Sequence, residues 1–423
     1  MAQLTDDCFA FSGPLLPVAD MERLIAERIA PVSETETVAL TQARGRVLAA
    51  GIAAPLDLPP FDNSAVDGYA VRHADLDPSA ETRLKISGRL TAGSASSVPV
   101  GAGEAIRIFT GAPMPAGADT VFMQEDTREE DGTVIVPSGL KRGANRRLSG
   151  EDVRKGSVVL PAGRRLAAQD VALAAALGLT QLTVRRRLRV ALFSTGDEIV
   201  EPGTARPDAA LYDANRYLLA GMLERLGAET TDLGIVPDDP AALAASIGGA
   251  AHGHDVVLTS GGVSTGEADH VRAAVERIGK LWFWRVAIKP GRPVSVGVLP
   301  GASGASAAFV GLPGNPVAAF VTFARVVRPL LLRLGGAFPE PLTALPVRLA
   351  FDYKKKTGRR EYVRVALRHA ADGTVEAVRH PQEGAGVITS LTETDGLAEL
   401  SEDATSIKQG ATVGFLSYAA LMG

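Results

Sequence analysis

Between about residues 187 and 335, strand-like and helix-like patterns alternate along the chain, and this alternation restricts the fold more than any other feature. Short apolar runs typical of buried strands lie near residues 189–193, 231–236, 255–258 and 307–310. Apolar residues at helical spacing follow them, as in Leu219, Met222 and Leu226. Strands that alternate with helices favour a mainly parallel sheet with helices on both faces.

The flanking segments have a different texture. Met21, Leu24 and Ile25 follow a helical period. Thr41 is placed to cap a second short helix that carries Val47 and Leu48. Short apolar stretches separated by Gly, Pro and Asp predict a β-rich region over 51–156, and similar stretches return after residue 336. Since residues 167–179 are again helical in pattern, the β-rich region is interpreted as an insertion.

We therefore predict an α/β plus β protein of several domains, for which the length of 423 residues is sufficient. The predicted parts are a discontinuous helical and linker region (15–50 and 157–186), an inserted β-rich domain (51–156), a mainly parallel α/β domain (187–335) and a small C-terminal β-barrel-like domain (336–423).

Composition narrows the class of protein. Hydrophobic residues make up 46% of the chain and charged residues 22%, which is typical of a soluble globular protein. The net charge of −4 gives no argument for binding to nucleic acid or to an acidic membrane surface. Cys8 is the one cysteine, which excludes an internal disulfide and a cysteine-based zinc site. The chain lacks a signal-peptide pattern and an apolar run of membrane-spanning length, so we expect a cytoplasmic location.

Three of the predicted parallel strands end in loops rich in Gly, Ser or Pro. The loops read FSTGDE at 193–198, TSGGVSTGEADH at 259–270 and GLPGNP at 311–316. In a parallel sheet all three lie on the edge where ligands bind. Small residues let backbone N–H groups converge on an anion, and a helix N-terminus adds partial positive charge. One such loop is equally well explained as an ordinary strand–turn–helix junction capped by Asp269, but three on one edge predict a ligand site.

Two further segments carry candidate polar groups. Lys289 and Arg292 flank a Pro-Gly turn, where they are placed to meet phosphate or an oxyanion, although a solvated turn is the alternative. Asp62 and Asp67 lie among turn-forming residues, where an Asx-turn and a cap are the simpler interpretation. The sequence contains no Walker-type phosphate loop, no G-x-S-x-G elbow and no H-E-x-x-H zinc motif.

Taken together, these segments resemble the molybdopterin molybdenumtransferase family, of the MoeA and gephyrin E-domain type. The residues that carry the resemblance are FDNSAVDGYAVR (61–72), RIFTGAPMPAGAD (107–119), FSTGDE (193–198), TSGGVSTGEADH (259–270), IKPGRP (288–293) and GLPGNPVAAF (311–320). The resemblance covers nearly the whole chain.

The resemblance implies that the chain inserts molybdenum into molybdopterin. The implied substrates are adenylylated molybdopterin and molybdate, the implied metal is Mg²⁺, and the products are AMP and molybdenum cofactor. It assigns residues 187–335 to the molybdopterin-binding fold, and it implies a homodimer whose site lies in a cleft between two subunits. Molybdopterin adenylyltransferase and molybdoenzyme delivery proteins are candidate partners, whereas nucleic acid and membranes are not.

On this basis we predict Asp62, Thr110, Glu198 and Asp269 as catalytic residues, with Glu198 and Asp269 also as metal ligands. Asp62 and Thr110 are placed at the cleft by the resemblance alone, and so is the contact of Arg359 with molybdate. The predicted substrate-binding residues are Ser260, Gly261, Gly262, Ser264, Gly266, Lys289, Arg292, Gly311, Pro313, Gly314, Asn315 and Arg359.

The chain departs from the family pattern at several positions. Many members have Lys where Arg285 or Arg292 stands. Ala318 and Ala385 stand where members often have Ser, so two hydroxyl ligands for the oxyanion are missing. Two rival functions are an adenylyltransferase that acts on molybdopterin with ATP, which would share only the α/β domain, and a non-catalytic scaffold of the gephyrin type. A loss of chemistry is disfavoured by the presence of the candidate residues Asp62, Thr110, Glu198, Asp269 and Lys289.

Overall fold

The computed structural model describes residues 4–11, 13, 15–94, 99–261 and 270–422. The chain begins with a helix, α1, that buries the predicted apolar positions Met21, Leu24 and Ile25. The elements up to residue 53 are α1 (Val18–Arg28), β1 (Thr35–Ala39), α2 (Leu40–Ala43) and β2 (Ile52–Ala53). No helix in the described part of the chain is long and apolar enough to cross a membrane.

The prediction of a second helix that carries Val47 and Leu48 is wrong. Helix α2 contains Thr41 in its interior and ends at Ala43. Val47 forms a bridge with Arg165, and Leu48 forms one with Val184. The extended backbone is favoured here because hydrogen bonds to a distant strand outweigh the weak local preference for a helix.

Residues that follow the β-rich region pair with residues that precede it. Strand β1 is antiparallel to β12, and β2 is antiparallel to β11. The returning elements are β11 (Val158–Leu160), α3 (Ala168–Ala176) and β12 (Gln181–Arg185). Leu48, Leu160, Leu166 and Val184 share one hydrophobic core, so the two separated stretches pack as a unit. The domain boundaries drawn from the sequence stay an interpretation.

The intervening residues form a mixed six-stranded sheet of order β7-β4-β6-β5-β9-β8, in which only the β5–β6 pair is parallel. Buried side chains cover both of its faces, with Tyr69 and Val71 on one side and Ala70 on the other. The strands are β3 (Asn63–Ser64), β4 (Gly68–Val71), β5 (Thr82–Leu90), β6 (Glu104–Ile108), β7 (Thr120–Met123), β8 (Arg128–Glu130), β9 (Thr133–Val136) and β10 (Arg146–Arg147).

The α/β region has a six-stranded sheet of order β16-β13-β17-β21-β20-β18. The first four strands are parallel, and β20 and β18 add an antiparallel edge. The six strands are β13 (Arg189–Thr195), β16 (Glu229–Val236), β17 (Val256–Ser260), β18 (Lys280–Arg285), β20 (Pro293–Pro300) and β21 (Ser306–Leu312). Outside this sheet, β14 (Ile199–Val200) pairs with β15 (Leu211–Tyr212), and β19 (Ile288–Lys289) pairs with a strand of the C-terminal region. The predicted, mainly parallel sheet is therefore confirmed.

Helices cover both faces of this sheet. Val190 and Leu192 of β13 pack into the core that contains α1, α4 and α8, whereas Ala191 and Phe193 pack against α5 and α6. The helices are α4 (Asn215–Arg225), α5 (Pro240–Ala251), α6 (His270–Ile278), α7 (Pro316–Thr322) and α8 (Arg328–Leu334), with a π-helical turn at Phe323–Val327 that joins the last two.

The C-terminal region is a closed barrel of five strands. Strand β24 pairs with both β25 and β26, and β22 and β28 complete the ring. Leu349, Val365, Ala377 and Ala398 are fully buried in its core. The elements are β22 (Leu345–Leu349), β23 (Tyr353–Lys354), β24 (Arg360–His369), β25 (Val375–Arg379), α9 (Thr389–Thr392), β26 (Gly396–Leu400), β27 (Ser406–Ile407), β28 (Thr412–Ser417) and α10 (Tyr418–Met422). The predicted barrel-like domain is confirmed.

Candidate functional site

The loops at 193–198 and 311–316 meet the described start of the third predicted loop, 259–261, at the carboxyl edge of the parallel strands, where Gly261 contacts both. Its N–H donates to the carbonyl of Leu312 at 3.1 Å. Gly261 has a φ of 92°, and a Cβ at this position would lie 2.6 Å from the carbonyl oxygen of Thr195. Only glycine fits this close approach, because a side chain would collide with the backbone of the neighbouring loop.

A buried asparagine at the start of α4 holds two of the loops together. Asn215 is 8% exposed, and its Nδ2 donates to Ser260 Oγ and to the Gly314 carbonyl, each at 2.7 Å. Both donors of the amide are therefore used to fix the distance between two loops that come from different strands. This rigidity is what a preorganised binding edge requires.

The same edge contains buried hydroxyl groups without hydrogen-bond partners. Ser194 and Thr195 end β13, and Thr259 lies one residue before the end of β17. All three side chains are at most 2% exposed, and among the described residues nothing accepts from or donates to their hydroxyl oxygens. A buried hydroxyl that lacks a partner costs free energy, so such groups mark a place where a ligand, a water or a further segment completes the bonding.

Acidic side chains gather beside this edge. Asp238 follows β16, and its Oδ1 is buried without a partner in the described chain. Burial raises the pKa of Asp238 above its usual range; His270 opposes the rise, and the charges of Asp197 and Glu198 add to it. The exposed Glu198 therefore lies near a second carboxylate, although within the described ranges no three His, Cys, Asp or Glu side chains converge on a metal position.

Several predicted site residues lie outside the described residues. They are Gly262, Ser264, Gly266 and Asp269. The binding and catalytic roles of these four residues therefore stay predictions. The residues that flank them are described, since β17 ends at Ser260 and α6 begins at His270.

A second polar cluster lies where the α/β region meets the C-terminal barrel. Glu361 is 1% exposed and accepts from Lys289 Nζ at 3.1 Å, from Arg359 Nε at 2.8 Å and from the Tyr353 hydroxyl at 3.0 Å. Burial opposes ionisation of Glu361, but the hydrogen bonds from Lys289, Tyr353 and Arg359 hold its pKa below the usual range. Thus two predicted anion-binding residues, far apart in sequence, share one buried carboxylate.

Lys289, Tyr353 and Glu361 border a cavity of about 190 Å³. Its lining includes Lys289, Arg364, His380 and Ala385. Arg364 is 5% exposed and donates through Nη2 to the carbonyls of Gln382 at 2.9 Å and Gly384 at 3.2 Å. Arg364 thus fixes the loop that carries Ala385.

This loop also contacts the start of α7. The Ala385 carbonyl accepts the N–H of Val317 at 3.0 Å. Asn315 Oδ1 would lie 3.5 Å from a Cβ at Gly386. The barrel therefore supports the loop at 311–316. In this loop Pro313 is half-buried, and Gly314 and Asn315 are exposed. Gly311 is buried within β21.

The turn between Lys289 and Arg292 packs closely on α7. Gly291 has a φ of 97°, and a Cβ there would lie 2.2 Å from Thr322 Oγ1. That hydroxyl donates to the Gly291 carbonyl at 3.1 Å. Arg292 is half-buried, and its guanidinium forms no hydrogen bond or ion pair within the described chain. The turn is therefore fixed by packing rather than solvated on all sides.

Asp62 and Thr110 lie in the β-rich region and are engaged there. Asp62 Oδ1 accepts the N–H of Ser149 at 2.8 Å. Thr110 donates its N–H and its hydroxyl to Asp67 Oδ1, each at 2.8 Å, and these two bonds hold the pKa of Asp67 below its usual range. Across the described residues, no hydrogen bond or ion pair joins 51–156 to 187–335. Within one chain, therefore, these two residues are not brought to the α/β edge by such contacts.

Comparison with known proteins agrees with this architecture. Successive parts match the MoeA N-terminal region, domains I and II (16–178), a probable molybdopterin-binding domain (191–333) and the MoeA C-terminal region, domain IV (346–418). A molybdopterin molybdenumtransferase of Haemophilus influenzae is 37% identical over 396 residues, which cover 92% of this chain and 96% of that protein. One from a Nostoc species is 37% identical over 412 residues, with coverage of 95% and 93%.

This chain belongs to the molybdopterin molybdenumtransferase family. A solved structure supports the assignment over the whole fold. The molybdopterin biosynthesis MoeA protein of Pyrococcus horikoshii OT3 is 30% identical, with a TM-score of 0.79 and coverage of 96% of this chain and 100% of that one. The chain is accordingly a transferase of molybdenum cofactor biosynthesis that inserts molybdenum into molybdopterin, and neither the adenylyltransferase nor the scaffold alternative is favoured.

The sequence analysis did not identify three residues whose contacts are evident in the structure, namely Asp238, Asn215 and Arg364. Asp238 has a detectable signal, because it stands with Asp239 between a strand and Pro240 at the start of α5. Asn215 is the first residue of α4, and the apolar positions that follow it in the helix dominate the local pattern. Arg364 lies within a strand of the barrel, and nothing in its local sequence sets it apart.

Proposed function

We propose that the three-loop edge holds adenylylated molybdopterin and that the junction with the barrel holds molybdate. The observation that carries this proposal is the set of buried hydroxyls of Ser194, Thr195 and Thr259, which have no partner among the described residues. A pyrophosphate group supplies many acceptor oxygens, and loop N–H groups and hydroxyls are the donors that such a group requires.

The proposed roles divide between orientation and charge. Ser260 and Gly314 are fixed by Asn215, so the substrate meets loops whose positions are set before it binds. We propose Glu198, Asp238 and Asp269 as the groups that orient the attacking water. The proposed substrate-binding residues of the edge are Ser260, Gly261, Gly262, Ser264, Gly266, Gly311, Pro313, Gly314 and Asn315.

We further propose that Mg²⁺ is used in the reaction. The donor chemistry fits in part: Asp238 has a buried oxygen without a partner in the described chain, and the charges of Asp197 and Glu198 disfavour its ionisation unless a cation is present. Asp269 would complete this set. When bound, Mg²⁺ neutralises charge that develops on the phosphoanhydride. Glu198, Asp238 and Asp269 would hold the metal and orient the attacking water.

For molybdate we propose Lys289, Arg292 and Arg359 as the binding cations. Lys289 and Arg359 are already oriented by Glu361, so little side-chain entropy is lost when the oxyanion arrives. The missing hydroxyls at Ala318 and Ala385 leave the cations as the main source of affinity.

We propose that the active protein is a homodimer with a shared cleft and a cytoplasmic location. Asp62 and Thr110 would then face the α/β edge of the partner subunit. To test this, Asp62→Asn and Asp269→Asn homodimers, each expected to be inactive, are mixed after reversible dissociation. Random exchange restores about a quarter of the sites if the cleft is shared. No recovery, with exchange verified by tagged subunits, excludes the shared cleft.

The deciding experiment for the reaction is AMP release from adenylylated molybdopterin, followed by chromatography of the nucleotides. We expect release that is stimulated by molybdate and abolished by excess EDTA. Equal release with and without EDTA would exclude the metal, and consumption of ATP with metal-free molybdopterin would support the adenylyltransferase instead.

A further inference from the structure

An arginine-lined cleft lies at the opposite end of the α/β region from the proposed catalytic edge. It has a volume of about 740 Å³ and is lined by Arg44, Arg165, Arg187 and Gly227, among others. Arg187 lies two residues before the start of β13, whose other end carries Thr195. The cleft therefore opens at the amino ends of the parallel strands and shares no residue with the three-loop edge.

Three arginines of this cleft have guanidinium N–H groups that donate to no described residue. The Arg44 guanidinium is exposed and forms no hydrogen bond or ion pair with a described residue. Arg187 uses Nη1 for the Gly227 carbonyl at 2.9 Å, and no other described residue accepts from its guanidinium. Arg165 uses Nε and Nη2 for the two oxygens of Glu340, each at 2.8 Å, which leaves Nη1. Three guanidinium groups thus present N–H donors to one space.

The acidic groups nearby do not balance this charge. Two acidic side chains, Glu224 and Glu340, line the cleft together with Arg44, Arg165 and Arg187. Glu340 also accepts from Arg328 at 3.2 Å, so it is shared between two arginines. Glu224 has no such pairing within the described chain. Its single negative charge offsets only part of the positive charge of the arginines.

A second row of arginines stands behind the first. A cavity of about 50 Å³ adjoins the cleft and shares Gly45, Arg165, Arg187 and Gly227 with it. Its three further arginines are held by protein groups: Arg46 by Glu36, Arg185 by the carbonyls of Val32 and Ser33, and Arg186 by Asp255 at 2.7 Å and by Glu34. Glu34, Glu36 and Asp255 are therefore already engaged, so they do not offset the positive charge of Arg44, Arg165 and Arg187.

We propose that this cleft binds the phosphate or pyrophosphate group of a small molecule. Planar guanidinium groups match phosphate oxygens in pairs, and several of them on one concave surface select for more than one negative charge. The volume exceeds what a single phosphate fills, so the rest of the cleft accommodates the group that carries it. The cleft is a second anion site, independent of the reaction proposed above.

Titration of the full-length protein with inorganic pyrophosphate tests the proposal, with phosphate and chloride as further arms at constant ionic strength. The catalytic edge is also proposed to bind pyrophosphate, so all titrations are repeated in the variant Thr195→Val/Thr259→Val, which removes two hydroxyls of that edge and leaves the cleft intact. We expect a pyrophosphate site that this variant retains and that the double variant Arg44→Gln/Arg187→Gln weakens by about 100-fold, or about 10-fold for each arginine.

Arg44→Glu guards against a folding defect, because Arg44 is exposed and makes no described contact that the fold requires. It should lower the affinity at least as much as Arg44→Gln, with an unchanged melting temperature. Arg83→Gln, at an exposed arginine paired with Glu130 in the β-rich sheet, is the matched control and should bind as wild type does. Unchanged pyrophosphate binding in Arg44→Glu and in the double variant, or equal affinity for chloride, would overturn the proposal.

Discussion

The α/β edge and the junction with the barrel are both proposed to meet anions, yet their polar groups are arranged in opposite ways. At the edge, the hydroxyls of Ser194, Thr195 and Thr259 are buried without a described partner. At the junction, Glu361 receives hydrogen bonds from three side chains and balances two cations. The first arrangement lowers the stability of the ligand-free protein and awaits a ligand, whereas the second stabilises the fold and keeps its cations oriented.

The comparison predicts that substitutions at the edge affect turnover, and that substitutions at the junction affect stability first. The same contrast explains why the edge needs glycine. Gly261 lets the loops approach to within van der Waals contact, so the edge is held by backbone packing rather than by charge pairs. Ion pairs among exposed loops would contribute little rigidity.

Asp238→Asn should have the largest effect on turnover. We expect kcat/KM to fall by about 100- to 1000-fold, since a charge that orients water or metal is lost. The metal-free variant should melt no lower than wild type, because burial and the charges of Asp197 and Glu198 disfavour the Asp238 carboxylate. Steady-state AMP release and calorimetric melting with EDTA measure the two effects.

The neighbouring Asp239 provides the control. Its Oδ1 accepts from the N–H groups of Ala241 and Ala242 at the start of α5. Asp239→Ala should therefore cost about 1 kcal/mol of stability with turnover close to wild type. Wild-type turnover in Asp238→Asn, or a loss of turnover in Asp239→Ala as large as that in Asp238→Asn, would contradict the assignment.

Asn215→Ala should affect both properties, because Asn215 connects two loops of the edge. Removal of the amide leaves the Ser260 hydroxyl and the Gly314 carbonyl without this donor, at a cost of roughly 2–3 kcal/mol in the free energy of unfolding. Denaturant unfolding measures the loss. Asn215→Asp keeps the size but replaces both donors by an acceptor, so it should be at least as unstable. If Asn215→Asp unfolds like wild type, the two hydrogen bonds do not carry the connection.

Glu361→Gln tests the junction through the pH dependence of stability. Since the folded state holds the pKa of Glu361 below its unfolded value, ionised Glu361 stabilises the protein above the unfolded pKa. This contribution is lost as the pH falls through the folded pKa. We expect the variant to be less stable than wild type by about 2 kcal/mol near pH 7, with a difference that shrinks below about pH 4.

Urea unfolding of both proteins over this pH range measures the difference. Glu130→Gln, at an exposed glutamate paired with Arg83, should show no comparable change. A difference between Glu361→Gln and wild type that does not vary with pH would mean that the hydrogen-bond geometry, and not the charge of Glu361, stabilises the junction.

The sequence predicted the parts of this molecule that rest on periodicity. Alternating strands and helices indicated the parallel sheet, because buried strands and amphipathic helices differ in the spacing of apolar residues. The loops at 193–198 and 311–316 were recognised because small residues and proline interrupt these patterns. The helix expected around Val47 and Leu48 failed because their partners, Arg165 and Val184, are more than 100 residues away in the chain.

Residues whose role depends on long-range contacts could not be identified from local sequence patterns. Arg364 is one charged residue in a strand, and only the fold shows that it holds the carbonyls of Gln382 and Gly384. Glu361 is similar, since its significance comes from Lys289, which is 72 residues earlier. Burial of a charge is visible only when the surrounding elements are in place, whereas loop composition is visible in one segment.

The smallest expected effect comes from Ala385→Ser, which would restore a hydroxyl at the junction. Ala385 is half-buried and borders the same cavity as Lys289, and its carbonyl is already held by the N–H of Val317. The backbone should therefore stay in place while the new hydroxyl donates to an oxyanion in the cavity. One neutral hydrogen bond is worth about 1 kcal/mol, so molybdate affinity should rise by about 3- to 10-fold in titration calorimetry, with an unchanged melting temperature.

Ala370→Ser, in the turn after β24, is the control and should bind molybdate as wild type does. Equal affinity in Ala385→Ser and wild type would mean that the cations at this junction leave no oxyanion oxygen within reach of residue 385.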